Sequence, residues 1–120
     1  MHELGIVFKI IEDVEGLARA NAVKRVSSVT LELGEVSGIV PEYLLDCWRW
    51  AADKKDLMRD CELELVTIEA KTFCEGCGAT YPTVAHGKTC PHCGSVNTYL
   101  VQGNEAVIRE IAVAEGNVSR

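Results

Sequence analysis

Two groups of residues in this 120-residue chain have types and spacings suited to metal chemistry. The first is Cys74-Glu75-Gly76-Cys77 with Cys90-Pro91-His92-Cys93. Each C-x-x-C sets two sulfurs on one tight turn, and Gly76, Gly78 and Gly94 let the backbone wrap an ion. Two such knuckles complete a tetrahedral four-cysteine zinc site of ribbon type. A closed four-thiolate site leaves no position for substrate, so this zinc is expected to be structural. Disulfides and a redox C-x-x-C are the competing readings. His86 and His92 lie close enough in sequence to exchange with a thiolate, or are simply exposed loop histidines.

The second group is Met1-His2-Glu3. The Met1 amine, the His2 amide nitrogen and the His2 ring Nδ1 can close adjacent chelate rings around one ion. Glu3 adds an amide nitrogen or a carboxylate. Deprotonated amides with imidazole make a planar nitrogen set that suits Ni(II) or Cu(II) rather than zinc. A bulky second residue such as His2 keeps the initiator Met in place. The simpler reading is that Glu3 complements a helix dipole and His2 is a solvated end residue.

Around these groups stand elements that must position them. Residues 4–21 read as an amphipathic helix, with Leu4, Val7, Phe8, Ile11, Val14 and Ala18 at three and four spacing and Ile10 and Leu17 widening the stripe. Asn21 begins its exit. Residues 26–33 alternate as a strand, with Val29, Leu31 and Leu33 on one face. Gly34 to Gly38 form a loop. Pro41 opens a second helix with Glu42 beside it, and Leu44, Leu45, Trp48 and Ala52 face inward. Residues 61–70 read as a second strand whose apolar register slips, which suggests a bulge or burial on both faces. Residues 106–113 form a third, with Val107, Ile111 and Val113 on one side. Residues 99–101 read as a further short strand.

These elements predict an α+β fold: two helices on one face of a three-stranded sheet, with an inserted four-cysteine zinc-ribbon module. The expected domains are 1–71 with 103–120, and 72–102 inserted. Cys47 and Cys61 read as small core residues, and Trp48-Arg49-Trp50 as core plus rim rather than a binding cage.

Bulk properties narrow the function classes. The formal charge is −6 and the pI is near 5.0, and four thiolates around one Zn(II) would make it more negative still. An acidic chain is a poor general binder of nucleic acid, because phosphate contact needs clustered Lys and Arg. The start lacks a basic n-region and an apolar core, so no signal peptide is expected. No run reaches about 18 apolar residues, so no membrane span is expected. A cytoplasmic protein fits, with cysteines used for metal. No phosphate loop, nucleophile–base pair or open zinc site is visible, so the chain reads as a non-enzyme.

The combination Met1-His2-Glu3-Leu4, Lys24-Arg25-Val26, Leu31-Glu32-Leu33-Gly34, paired C-x-x-C knuckles and Gly103-Asn104-Glu105 resembles the HypA/HybF family of hydrogenase maturation factors, along nearly the whole chain. That resemblance implies a nickel metallochaperone for [NiFe] hydrogenase. It implies nickel ligands from Met1, His2 and Glu3 including backbone nitrogen, and zinc at Cys74, Cys77, Cys90 and Cys93. It implies a nickel-handling maturation GTPase and the hydrogenase large-subunit precursor as partners, and in some bacteria the urease accessory proteins. Some members place an acidic nickel ligand before the second helix. Here that loop reads Ser37-Gly38-Ile39-Val40-Pro41, with no carboxylate until Glu42. The rival reading is a zinc-ribbon adaptor that mediates protein contacts without nickel transfer; a zinc-dependent redox protein is a third.

Overall fold

A computed structural model describes residues 3–113. The apolar periodicity at the start produces helix α1 (Glu3–Ala20), which buries Val7, Ile10, Ile11, Val14 and Ala18. The buried arc is narrower than expected: Leu4, Phe8 and Leu17 at its edges are exposed. The helix ends in a Schellman turn, with the Val23 N–H donating to Ala18 O at 2.9 Å. Ala22 occupies the left-handed position of that turn at φ 56°, and Asn21 Nδ2 donates to Leu17 O.

Strand β1 (Val26–Gly34) buries Val26, Val29, Leu31 and Leu33, the last three on a two-residue rhythm. Helix α2 (Pro41–Ala52) begins on Pro41, whose fixed φ and missing N–H suit the first turn. It buries Leu44, Trp48, Ala51 and Ala52, whereas the expected Leu45 is only half-buried. Helices α1 and α2 pack against each other. The Trp48 indole N–H donates to Cys61 O at 2.9 Å, inside the core. Trp50, two residues on, is exposed and lies under the Lys54 ammonium at 4.4 Å. Strand β2 (Glu62–Ile68) follows a short 3-10 turn. Leu65 and Val66 are consecutive, hence on opposite faces, and both are half-buried.

The first sheet has the order β2-β1-β6, where β6 is Ala106–Val113. Ile111 and Val113 are half-buried, but Val107, expected beside them, is 48% exposed. It sits at the beginning of β6, which is an edge strand among the described residues.

A second three-stranded sheet, of which the sequence reading had only the strand at 99–101, carries Cys74. Its order is β4-β3-β5, from β3 (Lys71–Cys74), β4 (Thr80–Pro82) and β5 (Thr98–Gln102). Both pairings are antiparallel. A single-turn helix, α3 (Thr83–His86), follows β4. The architecture is therefore α+β with two small sheets. The chain divides into two compact units. One comprises the described residues up to Leu31, Ile39–Val66 and those from Val107 on. The other comprises Glu32–Gly38 and Thr67–Ala106. Among the described residues no helix is long and apolar enough to cross a membrane.

Candidate metal centre

The second unit owes its local shape to two turns built alike. In the first, the Cys74 N–H donates to Ala79 O and the Gly78 N–H returns to Cys74 O, both at 2.8 Å. In the second, the Cys90 N–H donates to Ser95 O and the Gly94 N–H returns to Cys90 O, both at 2.9 Å. The fifth residue of each is glycine at positive φ, 79° for Gly78 and 76° for Gly94, a conformation costly for any side chain. Each turn also aims an N–H at its leading sulfur: Gly76 to Cys74 Sγ at 3.3 Å, and His92 to Cys90 Sγ at 3.4 Å. Such donors favour thiolate over thiol.

The turns bring the four cysteines together. Their sulfurs all lie within 4.8 Å of one another. Two pairs cross between knuckles, Cys74–Cys93 at 3.6 Å and Cys77–Cys90 at 3.7 Å. None of the six cysteines is paired in a disulfide. A tetrahedral ion with metal–sulfur bonds of about 2.3 Å needs sulfurs roughly 3.8 Å apart, so the observed spacing fits a thiolate-bound ion of that size. Neither His86 nor His92 belongs to the cluster, and both are exposed. The His86 ring instead meets Tyr81 edge-on, with centroids 5.8 Å apart.

Electrostatics give the same picture of the donor set. Burial raises the pKa of Cys90, but the N–H groups of Cys93 and His92 and the neighbouring thiols of Cys77 and Cys74 outweigh it and bring the pKa down. Cys77 and Cys93 move the other way. The N–H groups of Ala79 and Ser95 pull them down, yet burial together with the sulfurs of Cys90 and Cys74 at Cys77, and those of Cys74, Cys77 and Cys90 at Cys93, prevails and holds them up. One thiolate is accommodated readily, and its neighbours then resist ionising. A divalent cation removes that conflict, because it neutralises charge the sulfurs cannot share. The four-cysteine cluster therefore suggests a zinc site.

At the other candidate group, Met1 and His2 lie outside the described residues. Glu3 is the first residue of α1 and, although ionisable, is only 6% exposed. Its Oε2 accepts the Val40 N–H at 2.9 Å. Val40 is the N-cap of α2 and has no side-chain cap of its own. The bond is the interhelical counterpart of a capping box, in which a glutamate normally reaches back to its own helix's N-cap N–H. That N–H is the largest influence holding the Glu3 carboxyl down to about 2. The sequence reading named Glu3 but missed this partner, 37 residues away, for which no local motif exists.

Cys61 is buried, and Cys47 is half-buried. Desolvation, followed by the nearby Glu62 charge, pushes the Cys61 thiol up to about 11.

Comparison with known proteins then decides the family. Residues 1–113 match the family described as HypA, hydrogenase/urease nickel incorporation, metallochaperone. The chain belongs to that family. Among its relatives, the hydrogenase maturation factor HypA of Chlorobium phaeobacteroides (strain BS1) is 37% identical over 113 residues, covering 94% of this chain and 99% of that protein. The HypA of Chlorobium limicola (strain DSM 245 / NBRC 103803 / 6330) is 36% identical over 117 residues, covering 98% and 100%. The fold matches the solution structure of the Ni metallochaperone HypA from Helicobacter pylori with a TM-score of 0.73 at 23% identity, covering 94% of this chain and 97% of that one. HypA proteins form a nickel metallochaperone family that serves hydrogenase maturation, a carrier role rather than a catalytic one.

Proposed function

We propose that this chain is a non-enzymatic carrier of Ni(II) for [NiFe] hydrogenase maturation. Nickel is held by the Met1 amine, the His2 amide and ring nitrogens, and Glu3. Zinc at Cys74, Cys77, Cys90 and Cys93 is structural. Residues 1–71 with 103–120 form the nickel-binding domain, and 72–102 the zinc ribbon. Delivery runs, in the cytoplasm, through a nickel-handling GTPase to the hydrogenase large-subunit precursor.

The observation that carries this reading is the family match from residue 1 to residue 113, which spans both Met1-His2-Glu3 and the cysteine cluster. The chemistry of the two donor sets supports the division of labour. Four clustered thiolates suit a closed zinc site, and an amine–amide–imidazole set suits Ni(II). Equilibrium dialysis of zinc-loaded protein against Ni(II) tests it. The expected result is about one nickel per chain, lost in His2→Ala with zinc content unchanged. A chain that binds zinc but no nickel is the zinc-ribbon adaptor instead.

A further inference from the structure

Glu3 stands where a carboxylate would be the obvious fourth ligand for an ion at the chain's start. Its surroundings assign it other work. A buried carboxylate is costly unless its oxygens are satisfied. Here the carboxylate sits at the beginning of α1 and reaches the beginning of α2, where Oε2 takes the Val40 N–H at 2.9 Å. Negative charge at a helix N-terminus is favourable, and this group serves two of them.

The start of α2 depends on that visit. Val40 supplies no side-chain cap, and Pro41 supplies no N–H. The preceding Ser37-Gly38-Ile39 contains no carboxylate that could take over. If the Glu3 side chain swung onto a metal ion, it would leave the Val40 N–H without this acceptor and uncap α2.

We propose that Glu3 is a positioning residue: its carboxylate clamps the first turn of α1 to the N-cap of α2, and so fixes the backbone that presents the nickel-binding nitrogens. This rests on the nickel reading above. The Oε2 that holds the Val40 N–H is then a support and not a ligand. The clamp works as hydrogen-bonded supports of metal ligands generally do, by holding ligands in place rather than by bonding the ion.

The test uses the full zinc-loaded chain with its native N-terminus, as wild type, Glu3→Gln, Glu3→Ala and Val40→Pro. Gln keeps an oxygen for the Val40 N–H but is a poor metal ligand. Pro removes the N–H and leaves Glu3 untouched. Val40 has φ −89°, near the proline range, and its carbonyl still accepts from Leu44. Nickel affinity, stoichiometry and the ligand-field spectrum are read together, with amide exchange in the first turns of α1 and α2. Glu3→Gln is expected to match wild type in spectrum and stoichiometry, with affinity unchanged within about threefold. Glu3→Ala and Val40→Pro are expected to keep the wild-type spectrum, bind about 10-fold to 100-fold more weakly and exchange faster in both turns. A shifted spectrum or lost nickel in Glu3→Gln would make the carboxylate a ligand and overturn the proposal. Wild-type affinity in Val40→Pro would overturn it equally. Wild type that binds no nickel at all would overturn the carrier reading as well, so the two failures are told apart.

Discussion

Gly34 and Gly103 meet backbone to backbone. A Cβ on Gly34 would lie 2.0 Å from Gly103 O, and a Cβ on Gly103, which has φ +117°, would lie 2.4 Å from Ala70 Cα. The Gly103 carbonyl accepts the Val36 N–H at 2.7 Å, and the Gly34 N–H donates to Glu105 O at 2.8 Å. Glu105 Oε1 in turn accepts the Gly103 N–H, and Glu35 Oε1 accepts the Ala70 N–H. There is no room for a side chain at either position. Gly34→Ala and Gly103→Ala should each cost upwards of about 2 kcal/mol of stability, measured by urea denaturation. A loss under about 0.5 kcal/mol in both would mean the junction relaxes easily.

The exit of α1 makes the opposite prediction. Ala22 holds a left-handed conformation that glycine adopts without penalty. Ala22→Gly should raise stability by about 0.5–1 kcal/mol, seen as a higher melting temperature.

Metal removal should unfold the chain unevenly. A buried cluster of the second unit is Cys74, Tyr81 and Cys90, so two of its three members belong to the proposed zinc site. The first unit has an aliphatic core that includes Val7, Val14, Val29, Leu31 and Leu44. A strong chelator should abolish amide protection in β3, β4 and β5 while α1 and α2 remain protected. Equal protection with and without metal would show that the knuckles fold on hydrogen bonds alone.

Thiol accessibility gives a further check. With the four knuckle sulfurs bound to metal, the half-buried Cys47 should be the one thiol that alkylates quickly at about pH 8. Buried Cys61 should stay unmodified, its pKa raised to about 11. Because the folded-state value lies above the ordinary 9.0, the native state keeps that proton where the unfolded state loses it. Stability on this account is full below pH 9 and falls as pH rises from 9 towards 11. In Cys61→Ala that part of the alkaline loss should disappear. Chelation should then free the sulfurs of Cys77 and Cys93, which already lie at the surface, and mass spectrometry of the alkylated chain reads the order directly.

Much of this was legible in the residues, for identifiable reasons. α1, β1, α2 and β6 carry long apolar periodicities, and the cysteine spacing is explicit. β3 and β4 were not legible. They are four and three residues long, and Pro82 ends one of them. Their inward positions hold Thr72, Cys74 and Tyr81 rather than an aliphatic alternation. Phe8 and Leu17 lie on the α1 stripe by spacing, but at its margins, where the fold leaves them exposed. The Glu3–Val40 bond joins residues that only tertiary structure brings together.

The most direct test of the carrier account is a Ni(II) titration of zinc-loaded protein with its native N-terminus, beside a version with one glycine added before Met1. The addition moves the terminal amine and leaves every side chain in place. The account predicts about one nickel per native chain and much weaker binding by the extended one. Equal binding by both would contradict it, because the amine would then not be a ligand.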